Sequence, residues 1–296
     1  GEIKMNQYVF APKDDPYHRT QWRDLYPETG EKNSLVQIRD LAKVGNENKC
    51  YYVYALHPFY TDKIALATYD QDIEDLKAKF EQVINAGVRQ IAILEDDGYA
   101  DWEWEPASEI LVKVLNDISE WLVEKQQSDP QFADLKTELL FCPGWMAYSN
   151  SMTDSNNDDV KKIQELHARV GDNVRIVMTG GKIWGDVTTD FADRFYQRLD
   201  EKKSPGRYPY LWVNWPCNDN THNSLVMGGH NSILKPDLDG RKYHGIIFNP
   251  MQDSEPSKVG LFTGADYCWN IWRGADAQAQ GDQAWDDSFK YIDHMT

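Results

Sequence analysis

Long apolar runs are the first thing missing from this 296-residue chain. Nothing approaches the run of about eighteen apolar residues that a membrane-spanning helix needs, so no membrane partner is expected. Positive charge is also short. The 31 Lys and Arg against 48 Asp and Glu leave a formal charge of −17, a field that repels phosphate backbones, so no nucleic-acid partner is expected either. Cysteine is sparse: Cys50, Cys142, Cys217 and Cys268 lie far apart and form no CxxC pair, which argues against a zinc knuckle and a dense disulfide framework. The seven histidines show neither HxH nor HExxH spacing. No G-x-G-x-x-G links a strand to a helix, and no G-x-S-x-G elbow offers an activated serine. Neither a metal nor an organic cofactor is expected.

What the chain does have is a regular succession of short β-rich runs, most of them followed by a stretch able to form a helix. The runs are Gln7 to Phe10, Tyr51 to Leu56, Arg89 to Leu94, Glu138 to Phe141, Val174 to Met178, Tyr210 to Asn214 and Tyr243 to Phe248. Between them, Asp72 to Ala86 and Pro106 to Glu124 carry apolar residues near the 3.6 period, the latter at Ile110, Val112, Leu115, Ile118, Leu122 and Val123. Strand and helix in alternation predict an α/β fold with parallel pairing, and residues 1–296 read as one (β/α)8 TIM-barrel domain. The glycine pairs Gly180-Gly181 and Gly228-Gly229 read as turns.

The polar residues collect just after the runs: Lys13, His57, Asp96, Trp145, Thr179, Asp219 and Asn249. In a (β/α)8 barrel that is the end where chemistry is built. The most informative feature is Asp96-Asp97, directly behind Ile91 to Leu94. Two adjacent carboxylates push each other's pKa values apart, which serves acid/base work, although an acidic pair can also simply start a loop. Lys13 can donate to sugar hydroxyls or stand as a solvated loop residue. Trp212 to Asp219 mixes aromatic, amide and carboxylate groups suited to a pyranose, while Trp212 or Trp215 can equally fill core. His57 is a candidate base or a hydrogen-bonded structural residue. With metal and nucleophile signals missing, paired-carboxylate chemistry remains, and glycoside hydrolysis is its commonest example.

Several blocks then resemble one family in order along nearly the whole chain. These are Tyr8 to Arg19 (Tyr-Val-Phe-Ala-Pro-Lys-Asp-Asp-Pro-Tyr-His-Arg) with Trp22-Arg23 and Tyr26-Pro27, Asp96-Asp97, Thr179-Gly180, Trp212-Val213-Asn214 with Asp219, Asn249-Pro250-Met251, and Ala265 to Asn270. They resemble the catalytic domain of glycoside hydrolase family 84, the β-N-acetylglucosaminidases that include O-GlcNAcases and bacterial enzymes once named hyaluronidases.

The resemblance implies a retaining, exo-acting, substrate-assisted hydrolase in which the sugar's own acetamido oxygen attacks C1. It makes Asp96 the holder of the acetamido N–H and Asp97 the acid and later the base. It makes Lys13, Asn214, Asp219 and Asn249 sugar-binding, sets Trp212 near the acetamido pocket with Thr179 and Ile183 around it, and aligns Tyr148 with the family's active-site tyrosine by a two-residue insertion. Glu95 departs from the family, which carries an apolar residue there. The family barrel also opens with a strand bearing Gly-Phe-Tyr-Gly, which this chain does not contain. The resemblance thus implies a barrel lacking its first strand, poor turnover by the chain alone, and an N-terminal segment of the same polypeptide as a partner. The expected substrates are GlcNAc-containing glycans or glycoproteins, neutral ends being favoured over polyanionic hyaluronan by the −17 charge. A bacterial secreted or cell-surface setting is favoured, and the alternative function is a catalytically impaired, lectin-like GlcNAc-binding barrel.

Overall fold

The computed structural model describes residues 5–95, 104–144, 158–200, 208–219, 221 and 223–292. Seven strands, β1 (Gln7–Phe10), β2 (Tyr51–Leu56), β3 (Gln90–Leu94), β4 (Leu139–Cys142), β5 (Val174–Met178), β6 (Tyr210–Val213) and β7 (Gly245–Phe248), pair in that order, each parallel to the next. The helices between and after them are α1 (Leu35–Glu47), α2 (Tyr69–Asn85), α3 (Trp104–Ser128), α4 (Asp158–Arg169), α5 (Thr189–Asp200), α6 (His230–Ile233), α7 (Ser254–Trp269) and α8 (Ala277–Ile292). The α/β class and the seven parallel strands are those expected from the sequence.

Contacts divide the chain into two compact units, one from Met5 through β4 with Glu165–Ile176, the other from Val177 onward with residues 158–164. In the first unit, β3 and β4 are buried at every position and β2 at all but its first. That is why these strands read as unbroken apolar runs: a parallel strand covered on both faces has no polar side to show. Helices α1, α2 and α3 cover them with Leu35, Ile38, Ala42, Leu76, Phe80, Val83, Leu111, Leu115, Ile118 and Leu122. The stripe on α3 is rotated slightly from the expected one. Leu111 and Val114 are buried, while Ile110 and Val123 are only half-buried. Helix α3 begins two residues before Pro106, whose missing N–H costs nothing in a first turn.

In the second unit, α7 packs on α8 and, through glycines, on residues at the ends of β6 and β7. A Cβ on Gly260 would stand 2.7 Å from Pro216 Cγ, and one on Gly264 2.8 Å from Phe248 Cζ, so glycine sets how near α7 lies to the ends of β6 and β7. Gly181 (φ 88°) and Gly229 (φ 81°) adopt the left-handed backbone of tight turns, as their glycine pairs suggested.

Candidate active site

Lys13 sits in a β-turn. Asp15 N–H donates to Pro12 O (3.1 Å), which places Lys13 and Asp14 at the two corners, both exposed. Behind the turn, Asp15 caps the short 3-10 segment Pro16–His18, its Oδ1 accepting from Tyr17 N at 2.9 Å. Its Oδ2 accepts from Tyr26 Oη (2.7 Å), and Tyr26 Oη accepts in turn from Tyr54 Oη on β2 (3.1 Å). Asp15 is only 2% exposed, and burial pushes its carboxyl above the usual range against the pull of these bonds and of Lys79.

Lys79 on α2 is the most unusual group of this unit. It is 0% exposed, and its Nζ lies 4.4 Å from the Tyr26 ring centroid and 4.9 Å from that of Tyr17, with no hydrogen-bond partner among the described residues. Burial pulls its ammonium down to about 7, with the carboxylates of Asp15 and Asp24 opposing. Neither Asp15 nor Lys79 was singled out from the sequence. The available signals were the Asp-Pro turn start and a lysine in line with the apolar stripe of α2, at Ile73, Leu76, Phe80 and Val83.

His57, directly after β2, is buried. Its N–H donates to His18 O (2.9 Å), and its ring meets those of His18 and Tyr60 at 6.5 and 5.5 Å. This is the structural setting rather than that of a solvent-reaching base. Glu95 follows β3 and is buried, with its backbone N–H donating to Cys142 O (2.8 Å) and its Oε2 accepting from Gly144 N (3.4 Å). This one departure from the family pattern therefore ties the end of β3 to the end of β4. Asp96, Asp97, Trp145 and Tyr148 lie outside the described residues.

In the second unit, four of the sequence-predicted positions come together around Asn214, directly after β6. Asn214 Oδ1 accepts from Trp212 Nε1 (2.8 Å) and from Asn249 Nδ2 (2.9 Å), and its Nδ2 donates to Ile183 O (2.8 Å). One buried amide thus links the ends of β6 and β7 to the loop after β5. Asn249 is further fixed by its N–H to Val213 O (2.9 Å). Trp212 is half-exposed, whereas Trp215 is buried, with Nε1 donating to Gly228 O (2.9 Å), so of the two tryptophans only Trp215 fills core. Ile183 and Asp219 are exposed, and Thr179 is buried, its carbonyl accepting from Gly181 N (2.8 Å). Burial pushes the Cys217 thiol up to about 11, so it stays protonated and is no nucleophile at neutral pH.

Parallel strands in consecutive order, with helices between them and polar groups behind the strand ends of each unit, define an α/β fold of the barrel type. Over residues 1–296 the chain matches the family described as beta-N-acetylglucosaminidase, and it belongs to that family of glycoside hydrolases. It is 25% identical over 269 residues to the Protein O-GlcNAcase of Mus musculus, an alignment covering 88% of this chain and 26% of the relative. Among solved structures it is similar to CpGH84D, with 35% identity and a TM-score of 0.78 over 98% of this chain and 43% of that one. It is also similar to CpGH84B, with 28% identity and a TM-score of 0.76 over 97% and 46%. The chain spans about a quarter of the length of the curated relatives it matches.

Proposed function

We propose that the protein is a retaining, exo-acting β-N-acetylglucosaminidase that removes terminal β-linked GlcNAc from glycans or glycoproteins without a metal or organic cofactor. The observation that supports this best is the Trp212-Asn214-Asn249 cluster, an aromatic edge beside two mutually oriented amides of the kind that packs on a pyranose and bonds its hydroxyls. Lys13, Asp219 and Asn249 hold hydroxyls, Asn214 orients Trp212 and Asn249 and binds sugar with its remaining N–H, and Trp212 borders the acetamido group with Thr179, Ile183 and Tyr148 around it.

The acetamido oxygen of the substrate attacks C1 while Asp97 protonates the departing glycosidic oxygen, leaving an oxazoline ring whose nitrogen keeps its proton, shared with the Asp96 carboxylate. Asp96 accepts the acetamido N–H and so aims and polarises that oxygen. Asp97, now a carboxylate, takes a proton from the water that opens the oxazoline, and two inversions at C1 retain its configuration. The charge on Asp96 keeps the Asp97 proton in place until it is needed. No step falls to Glu95, whose Oε2 accepts from Gly144 N.

Hydrolysis of an aryl β-GlcNAc by the protein and by Asp97→Ala tests this. The wild-type chain alone is expected to cleave slowly, and the variant to lose at least about a further hundredfold, the lower range for a missing general acid, while still binding GlcNAc. Equal inertness of the two with GlcNAc binding intact establishes the lectin-like alternative instead.

A further inference from the structure

The block Lys13 to Tyr26 holds more fixed polar contacts than binding one sugar hydroxyl requires, and two of them converge on the Lys13 turn. From one side, Arg19 Nη2 donates to Lys13 O (2.5 Å) while its guanidinium carbon lies 4.3 Å from the Tyr60 ring centroid. From the other side, Asp15 closes the turn through its backbone N–H and anchors it to Tyr26 and Tyr54 through its carboxylate. Both Asp15 oxygens are occupied by protein donors and the residue is buried, so it has nothing left to offer a substrate. Arg19 likewise spends its contact on a backbone carbonyl and an aromatic face. Lys13 itself is exposed, and the backbone of its turn fixes where its flexible side chain starts from the surface.

We propose that Arg19 and Asp15 are positioning residues for sugar binding, acting through Lys13 by fixing the turn that carries it. This rests on the sugar-binding role assigned to Lys13 above. Because the role assigned to Lys13 is a hydroxyl contact and no step at C1, a misplaced turn weakens substrate and transition state alike, and the loss falls on KM rather than kcat. Arg19→Met keeps an unbranched apolar side chain and removes both the donor to Lys13 O and the guanidinium over Tyr60. It is expected to raise KM for an aryl β-GlcNAc by about tenfold, within what a misplacement of an ångström can cost, at near-unchanged kcat and melting temperature. Asp15→Asn is expected to do the same while lowering the melting temperature, since it perturbs a buried network.

The discriminating readout is a double-mutant cycle with Lys13→Ala. If the two residues act through Lys13, neither Arg19→Met nor Asp15→Asn changes KM further once Lys13→Ala is present. A merely structural role multiplies the loss by the same factor in both backgrounds, and that result, or a wild-type KM in Arg19→Met, overturns the proposal. Should the wild type prove inert, the function proposed above fails on its own, and the same cycle read as GlcNAc affinity by calorimetry still decides the positioning roles. Absence of GlcNAc binding sinks both.

Discussion

Replacing Lys79 by methionine isolates the energetic cost of a buried amine. Lys79 has no exposed surface, and burial holds its ammonium at about 7, against 10.5 for a free lysine. Between those two values the folded protein carries the amine neutral while the unfolded chain keeps it protonated. The unfolded state therefore binds more protons across that window, and stability rises with pH. As pH falls towards 7 the contribution is lost, because the ammonium must then be held among Tyr17, Tyr26 and the surrounding core. For a group shifted this far, the gain from pH 7 to 9 works out at about 2 kcal/mol. Burial raises the phenols of Tyr26, Tyr52 and Tyr54 well above 10, so they oppose the trend only above about pH 10 and leave the window clear. Urea unfolding of the wild type and of Lys79→Met at pH 7, 8 and 9 is the assay. The wild type should gain on the variant steadily, whatever the offset at pH 7, and two parallel stability curves would refute the reasoning.

Asn214→Asp keeps the acceptor for Trp212 and Asn249 but turns a carboxylate oxygen towards Ile183 O in place of a donor. A loss of about 1 to 3 kcal/mol in chemical denaturation is expected, with a raised KM. Gly260→Ala drives a Cβ to 2.7 Å from Pro216 Cγ and should cost about 1 to 3 kcal/mol of overpacking, read as a lower melting temperature. Burial pushes the Asp72 carboxyl up, but bonds from Arg23, Thr68 and Ala65 outweigh it and hold the group below 3.8. Its contribution is thus present above pH 3.8 and disappears on acidification below it. Asp72→Ala should then cost about 1.5 to 3 kcal/mol at neutral pH, Arg23 keeping its pair with Asp62, and flatten the acid limb of the stability profile.

The strand succession was legible because burial on both faces writes β2, β3 and β4 as apolar runs, with helical periods between them. Their ends were less so, since the residue that leaves a strand is often the one with work to do. Asn214 was expected inside β6 but turns out of it into the amide cluster. Tyr243 was expected in β7, yet it follows the 3-10 turn Gly240–Lys242 and sends its hydroxyl to Thr188 O (2.5 Å). Glu138 and Arg89 likewise stand one residue before β4 and β3.

At the site, the sequence pointed to Trp212, Asn214, Asn249 and Ile183 singly. That the Asn214 amide ties the other three together depends on neighbouring strands and a loop 31 residues away, which no local pattern records. Lys79 was hidden for a related reason. A lysine on an amphipathic helix reads as surface until the tyrosines that cover it, fifty and more residues earlier in the chain, are folded over it.

The central claim is that the substrate supplies its own nucleophile. The most direct measurement compares aryl β-GlcNAc with the matching aryl β-glucoside, identical except for the 2-acetamido group. The account predicts cleavage of the first and no turnover of the second above background. Comparable rates on the two would contradict it, because a sugar without the acetamido oxygen has nothing with which to attack C1.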